Sequence, residues 1–240
     1  MNERKVIEFY DDFIEEQAKS GINDRIYSLY KRMLKLGMKP DSNVLELGSG
    51  IGTLTYLLAG YITRGNIEAV DISPASIQFS SKRIKKKNIR FVTGNIVNHI
   101  SEIKNIDFVT LYDVIEHIPY EEHNELFKNL YTICNEKTRI LINIPNPDYI
   151  EYDMKNNPGE LQIIDQPISL KFILENVEKN GLHLDFFETY SIWVENDYQF
   201  LILSKKKTFE EVLLSTKRSF LQKVLKKLKR IYIKQRYNYR

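Results

Sequence analysis

The residues with the clearest chemical meaning lie between Glu46 and Gly52, in the string E-L-G-S-G-I-G. Glycines at alternate positions let a backbone turn tightly and lie close against a ligand. The apolar run before them, from about Asn43 to Leu47, reads as a buried parallel strand. A dinucleotide loop is spaced G-x-G-x-x-G and receives its pyrophosphate at a helix N-terminus. Here the spacing is Gly48-x-Gly50-x-Gly52, and Glu46 stands two residues ahead of the first glycine. That carboxylate repels a pyrophosphate and suits a ligand carrying an ammonium and a sulfonium, which is S-adenosylmethionine. A second acid, Asp71, closes the next apolar run about twenty residues on, where it accepts hydrogen bonds from both hydroxyls of a ribose. Ile72 behind it covers one face of the adenine.

On these residues the chain resembles the class I S-adenosylmethionine-dependent methyltransferases, in which an E-x-G-x-G-x-G signature ends the first strand. A plain strand-turn-helix with incidental glycines is the competing reading. The resemblance extends over about residues 5 to 204 and implies a Rossmann-like α/β fold. Its seven-stranded mixed sheet is flanked by helices, with the last strand pair antiparallel. It also implies that the N-terminal helices lie over the cofactor, bringing Tyr10 or Gln17 toward the sulfonium; packing of Tyr10 on the core is the alternative. In this family an Asp usually follows the third strand and reads the adenine amino group. Here the residues are Gly94-Asn95-Ile96. The Asn95 amide accepts the same bond and donates to a ring nitrogen, with altered charge. Ser49 in the loop, Ile96 and Asp113 complete the expected cofactor contacts.

The string Asp113 to Pro119, D-V-I-E-H-I-P, is similar to a segment of ubiquinone-type O-methyltransferases and relatives that act on small molecules and sugars. It falls at the carboxyl end of the fourth strand, where the strand order of an open α/β sheet reverses and ligands sit. His117 is therefore the candidate general base, placed to take a hydroxyl proton during in-line attack on an activated methyl. Capping a helix or holding Glu116 are its structural alternatives. His123 sits among Glu121, Glu122 and Glu125 and reads as a surface residue; His99 and His183 have no companion groups. No His, Cys and acid cluster has metal-ligand spacing, so no metal is expected.

These groups need elements to hold them. Apolar residues at three and four spacing over residues 4–37, interrupted at Gly21 to Asp24, predict two helices, with Asn23 or Asp24 as a cap. After the glycine loop a helix begins near Thr53, and its free N–H groups suit a carboxylate. Strands follow at Ile67 to Val70, Ile89 to Val92, Ile106 to Leu111 and Arg139 to Ile144, with a basic helix over Pro74 to Lys87. Pro145-Asn146-Pro147 carries the chain off the sheet. An irregular insert from Ile150 to Leu170 is expected to be a lid or specificity element, or a surface loop, and its Asn157, Gln162 and Gln166 suit a polyhydroxylated ligand. A helix over residues 170–180 and strands at Leu182 to Tyr190 and Gln199 to Ser204 complete the sheet. The organisation is thus residues 1–40 as helical cover, 41–204 as the methyltransferase domain with an insert at 146–170, and 205–240 as a tail.

Charge separates the tail from the rest. The 240 residues carry a net charge of +3, yet Lys205 to Arg240 holds 13 Lys and Arg against Glu210 and Glu211. The preceding residues hold 22 basic and 30 acidic side chains. Apolar residues from Phe209 to Tyr232 alternate with this charge, predicting a basic amphipathic helix over Thr208 to Lys234 that lies on an anionic membrane surface. Docking on protein, RNA binding and a solvated end are the alternatives. An acidic catalytic domain without a basic groove makes nucleic acid the weaker partner. One cysteine, Cys134, and the lack of a leader-like N-terminus or a membrane-length apolar run fit a cytoplasmic protein, peripheral at the inner membrane face. Together these features predict methyl transfer to a hydroxyl, less readily an amine, of a small-molecule or carbohydrate acceptor in surface-glycan biosynthesis. An RNA methyltransferase and a non-catalytic cofactor-binding regulator are the alternatives.

Overall fold

The computed structural model describes residues 3–12, 14–208, 211 and 218–237, without the side chains of Glu3 and Glu160. They form two compact units, residues 1–206 and 207–240.

The first unit opens with α1 (Glu3–Asp12), α2 (Ile14–Ser20) and α3 (Asp24–Lys35). Asn23 caps α3, its Oδ1 accepting from Ile26 N–H at 3.0 Å, an interaction that typically stabilises a helix by about 1 kcal/mol. Then come β1 (Val44–Leu47), α4 (Thr53–Tyr61), β2 (Ile67–Asp71), α5 (Pro74–Arg83), β3 (Ile89–Thr93) and β4 (Phe108–Tyr112). Two single 3-10 turns, Ile115–His117 and Tyr120–Glu122, lead to α6 (His123–Ile133) and β5 (Arg139–Pro145). The unit ends with α7 (Pro147–Asn156), α8 (Leu170–Lys179), β6 (Leu182–Tyr190) and β7 (Tyr198–Lys205). The second unit holds α9 (Phe220–Arg236).

The seven strands lie in the order β3-β2-β1-β4-β5-β7-β6. All pairings are parallel except β5 with β7 and β7 with β6. This is the Rossmann-like seven-stranded mixed sheet expected from the resemblance. β1, β2 and β4 are buried along their whole length because helices cover both faces, which is why their sequences are continuous apolar runs. On one face, Leu45, Leu47, Val109 and Leu111 pack with Phe127 of α6 and Ile173 of α8. On the other, Leu29 and Met33 of α3 meet Leu54 and Leu58 of α4 over Val44 and Ile67. Strand order reverses between β1 and β4, and the chain crosses there from β3 to β4.

Four expectations need correction. The stretch after β5 is not irregular from Ile150: Asn146 caps α7 through Asp148 N–H, and Pro147 occupies its first turn, where its missing N–H costs nothing. α5 stops at Arg83, so Lys85, Lys86 and Lys87 follow the helix instead of closing it. His123 is fully buried, with Nε2 3.0 Å from the Ile118 carbonyl and its ring among Tyr120, Phe127 and Phe172. Glu121 and Glu125 are exposed while the helix turns His123 into the core. His99 also has a companion, the buried Glu68 carboxylate at 2.7 Å, which Arg90 holds from its other side. The expected tail helix begins at Phe220; residues 209, 210 and 212–217 lie outside the described residues.

Candidate active site

A cavity of about 760 Å³ opens over the carboxyl ends of β1, β2 and β4. Its first wall is the glycine loop. Gly48, Gly50 and Gly52 all have left-handed backbones, with φ of 77°, 51° and 81°. At Gly48 the space is also closed, since a Cβ there would lie 2.3 Å from Val114 Cγ2. Gly52 does not face the cavity: it lets the loop close on α5, where an added Cβ would stand 2.8 Å from Ser80 Cβ. α4 begins at Gly52 with no side-chain cap, and Thr53 and Leu54 of its first turn line the cavity. Such uncapped N–H groups are free to donate to a carboxylate.

Glu46, at the end of β1, is 4% exposed, and its Oε2 accepts from Thr55 Oγ1 at 2.7 Å. Burial raises its pKa to about 8 against the opposing effect of that bond. A buried carboxyl of this kind becomes a carboxylate when a cation arrives beside it. Asp71 ties β2 to the loop: Oδ2 accepts from Gly50 N–H at 2.6 Å and Oδ1 from Ser73 N–H at 2.9 Å. Ser49 Oγ is buried with no hydrogen-bond partner among the described residues. Ile72, Asn95 and Ile96 line the same wall. The Asn95 amide oxygen accepts from Val97 N–H at 3.0 Å.

The opposite wall converges from distant parts of the chain. Tyr10 and Gln17 reach it from α1 and α2, and Gln17 Oε1 lies 3.4 Å from where a Gly50 Cβ would be. The Tyr10 ring meets His117 edge-on at 6.2 Å, and its buried hydroxyl has no partner among the described residues. Burial and then Glu116 push that hydroxyl well above its usual pKa. Asp11, next to Tyr10, accepts from Ser73 Oγ at 2.5 Å and Ala75 N–H at 3.3 Å, fastening α1 to the start of α5.

His117 itself is held by the insert. Its Nδ1 lies 2.5 Å from the Ile164 carbonyl and 3.0 Å from Asp165 Oδ1, both acceptors, so Nδ1 carries the proton. Nε2 is 3.8 Å from Glu116 Oε1. Glu116 is buried and neither carboxyl oxygen has a hydrogen-bond partner among the described residues; burial holds its pKa up. Burial works against charge on His117, but Glu116 and then Asp165 outweigh it and lift the imidazole pKa to about 9. Asp113, at φ 57°, accepts from Asn143 Nδ2 at 3.0 Å and pairs with Arg25 Nε at 3.1 Å. Arg25 donates to the Tyr198 hydroxyl at 2.5 Å and lies against the Trp193 ring at 5.4 Å.

Every expected site residue except Gly52 therefore lines one cavity. Sequence reading missed Asp165, Glu116 as a buried acid, and the Arg25–Trp193–Tyr198 group. Asp165 lay within the insert singled out as a specificity element, but no local pattern joins it to His117. Of the insert's carboxamides only Gln162 faces the cavity; Gln166 donates to the Ile118 and Glu116 carbonyls and Asn157 to Asp153.

The donor set fits S-adenosylmethionine. A buried carboxyl, an unpartnered Ser49 hydroxyl, the Asp71 carboxylate and an open helix start lie along one wall. When bound, this cofactor supplies an electrophilic methyl on sulfur.

A family model described as a methyltransferase domain matches residues 10–185. The chain is 24% identical over 200 residues to malonyl-[acyl-carrier protein] O-methyltransferase 1 of Ilyobacter polytropus, covering 82% of this chain and 74% of that one. It is also 24% identical over 126 residues to ribosomal RNA small subunit methyltransferase A of Malacoplasma penetrans, covering 52% and 44%. Magnesium protoporphyrin IX methyltransferase from Synechocystis, solved with SAH bound, superposes with a TM-score of 0.68 at 16% identity, over 86% of this chain and all of that one. A S-adenosylmethionine-dependent methyltransferase from Clostridium acetobutylicum superposes with a TM-score of 0.63 at 14% identity, over 85% and 99%. With this match over residues 10–185, the chain belongs to the methyltransferase-domain family and is an S-adenosylmethionine-dependent methyltransferase.

Proposed function

We propose that this enzyme methylates a hydroxyl oxygen of a small-molecule or carbohydrate acceptor, within surface-glycan assembly. The observation that carries the reading is the His117–Asp165 pair. Asp165 and the Ile164 carbonyl fix the Nδ1 proton, which leaves Nε2 as the nitrogen that accepts a proton at the cavity wall. An acceptor hydroxyl donates to Nε2, its oxygen becomes the nucleophile, and Glu116 and Asp165 stabilise the imidazolium that forms. Tyr10, Gln17 and the α1–α2 cover exclude water, while Asp71 and the loop hold the cofactor in place. The Gln162 side chain and the aromatic face of Trp193 suit a sugar. An amine acceptor would use the same pair.

A second reading has its own support. A malonyl group, as in the name of the Ilyobacter relative, offers a carboxylate oxygen that needs no base. A histidine lifted to about 9 is an imidazolium at neutral pH and would hold such an acceptor by charge. The pH dependence of kcat separates the two. A hydroxyl acceptor requires neutral His117, so kcat rises with pH toward about 9 and then levels. A carboxylate held by the imidazolium gives the opposite limb, with activity lost as pH rises through about 9. Labelled-methyl transfer onto nucleotide sugars, oligosaccharides and malonyl thioesters provides the acceptors. Product with the carbohydrates and a rising limb supports the first reading; product with the thioester alone and a falling limb overturns it.

A further inference from the structure

The second unit carries a feature that methyl transfer does not use. Among the described residues, α9 is 17 residues long, about 26 Å at helical rise. It starts on a complete capping box: Ser219 Oγ accepts from Gln222 N–H while Gln222 Oε1 accepts from Ser219 N–H at 3.0 Å. Such a box stabilises a helix start regardless of what the helix touches.

The residues of α9 sort by face. At about 100° per residue, Leu221, Val224, Leu225, Leu228, Ile231 and Tyr232 fall with Phe220 within an arc of roughly 140°. The seven Lys and Arg residues from Lys223 to Arg236 all fall in the opposite arc of roughly 180°. Only Ile233 and Gln235 lie on the side of the other class. The helix contains no Asp or Glu. The apolar side chains are 37 to 83% exposed. Arg218 first, then desolvation and Arg230, push the Lys226 ammonium pKa down. Among the described residues no helix is long and apolar enough to cross a membrane.

We propose that α9 lies in the plane of an anionic membrane surface, with its Leu-rich arc in the headgroup boundary and its Lys and Arg arc against acidic lipid headgroups. The charge pattern selects this occupant. A second copy would bring a further seven positive charges to the same seam. An acidic protein partner would need no lipid-like apolar layer facing the arc. RNA would use the basic arc and leave the apolar arc in water. A lipid surface uses both arcs together.

The test is co-sedimentation of the full chain with vesicles of phosphatidylcholine alone or mixed with phosphatidylglycerol, at low and high salt. Partition onto the mixed vesicles at least about tenfold above the neutral ones, weakening with salt, is the expected result. Leu225→Glu with Leu228→Glu should abolish partition, and Lys226→Glu with Lys227→Glu should reduce it several-fold. Calorimetric binding of S-adenosylmethionine serves as the folding control and stays unchanged in both variants. Equal partition onto neutral vesicles, or partition that survives the leucine changes, overturns the proposal. So does tight binding of a single-stranded RNA that the leucine changes leave intact while vesicles bind weakly.

Discussion

The two walls of the cavity are built by different means. The cofactor wall comes mainly from one continuous stretch, Glu46 to Ile72, folded as strand, loop, helix and strand, with Asn95 and Ile96 added after β3; Glu46 and Asp71 are fixed by partners 9 and 21 residues away. The opposite wall gathers Tyr10, Arg25, His117 and Trp193 from separate segments, with Asp165 holding His117 and Tyr198 holding Arg25. The first wall is rigid because backbone conformation defines it. The second depends on ion pairs and ring contacts between elements that sequence separates by up to 173 residues. A ligand common to a large family suits the first construction, and an acceptor that varies between members suits the second.

If the walls are separate in function, changes to one should spare the other. The largest effect is expected at His117. His117→Ala should lower kcat by about 10² to 10⁴-fold with the cofactor Kd within about threefold; a matching loss of cofactor affinity would break the division. Asp165→Asn should lower kcat by about 10²-fold and move the pH limb to lower pH, because the carboxylate that lifts the imidazole is gone. A role for Asp165 in packing alone would leave the limb where it was.

Glu46→Gln tests the other wall. In the free protein burial keeps this carboxyl protonated up to about pH 8. A bound cation lowers that pKa, so cofactor binding releases a proton near neutral pH and tightens as pH rises toward 8. Titration calorimetry in buffers of different ionisation enthalpy should show the release in the wild type. The variant should lose it, bind about tenfold more weakly, and retain its acceptor KM. Smaller still is Gly52→Ala, which strains a φ of 81° and crowds Ser80. It should cost about 1–3 kcal/mol of stability, or several degrees in Tm by calorimetry, with cofactor affinity little changed in the folded protein.

The same contrast explains what could be read from the sequence. Glu46, the glycines and Asp71 were legible because their spacing along the chain is set by one turn and one helix. The strands were legible as apolar runs, whereas the seven-stranded sheet with its antiparallel last pair came from the family resemblance. His117 was legible as a candidate because the string Asp113 to Pro119 follows the fourth strand, but its partner Asp165 was not, since 48 positions apart nothing but the fold relates them. α7 was hidden by Pro147, which reads as a breaker until it is seen at a helix's first turn, where it is tolerated. His123 misled because charged neighbours imply exposure, whereas a helix sends adjacent residues to different sides.

The contact of Asp11 with Ser73 and Ala75 has a kinetic consequence. If α1 and α2 cover a bound cofactor, they must part before its demethylated form departs, and this fastening would then act as an escapement on turnover. Asp11→Ala should shorten the residence time of S-adenosylhomocysteine by several-fold in stopped-flow displacement. Where release limits the cycle, that variant would turn over faster than the wild type at saturating cofactor while requiring more of it.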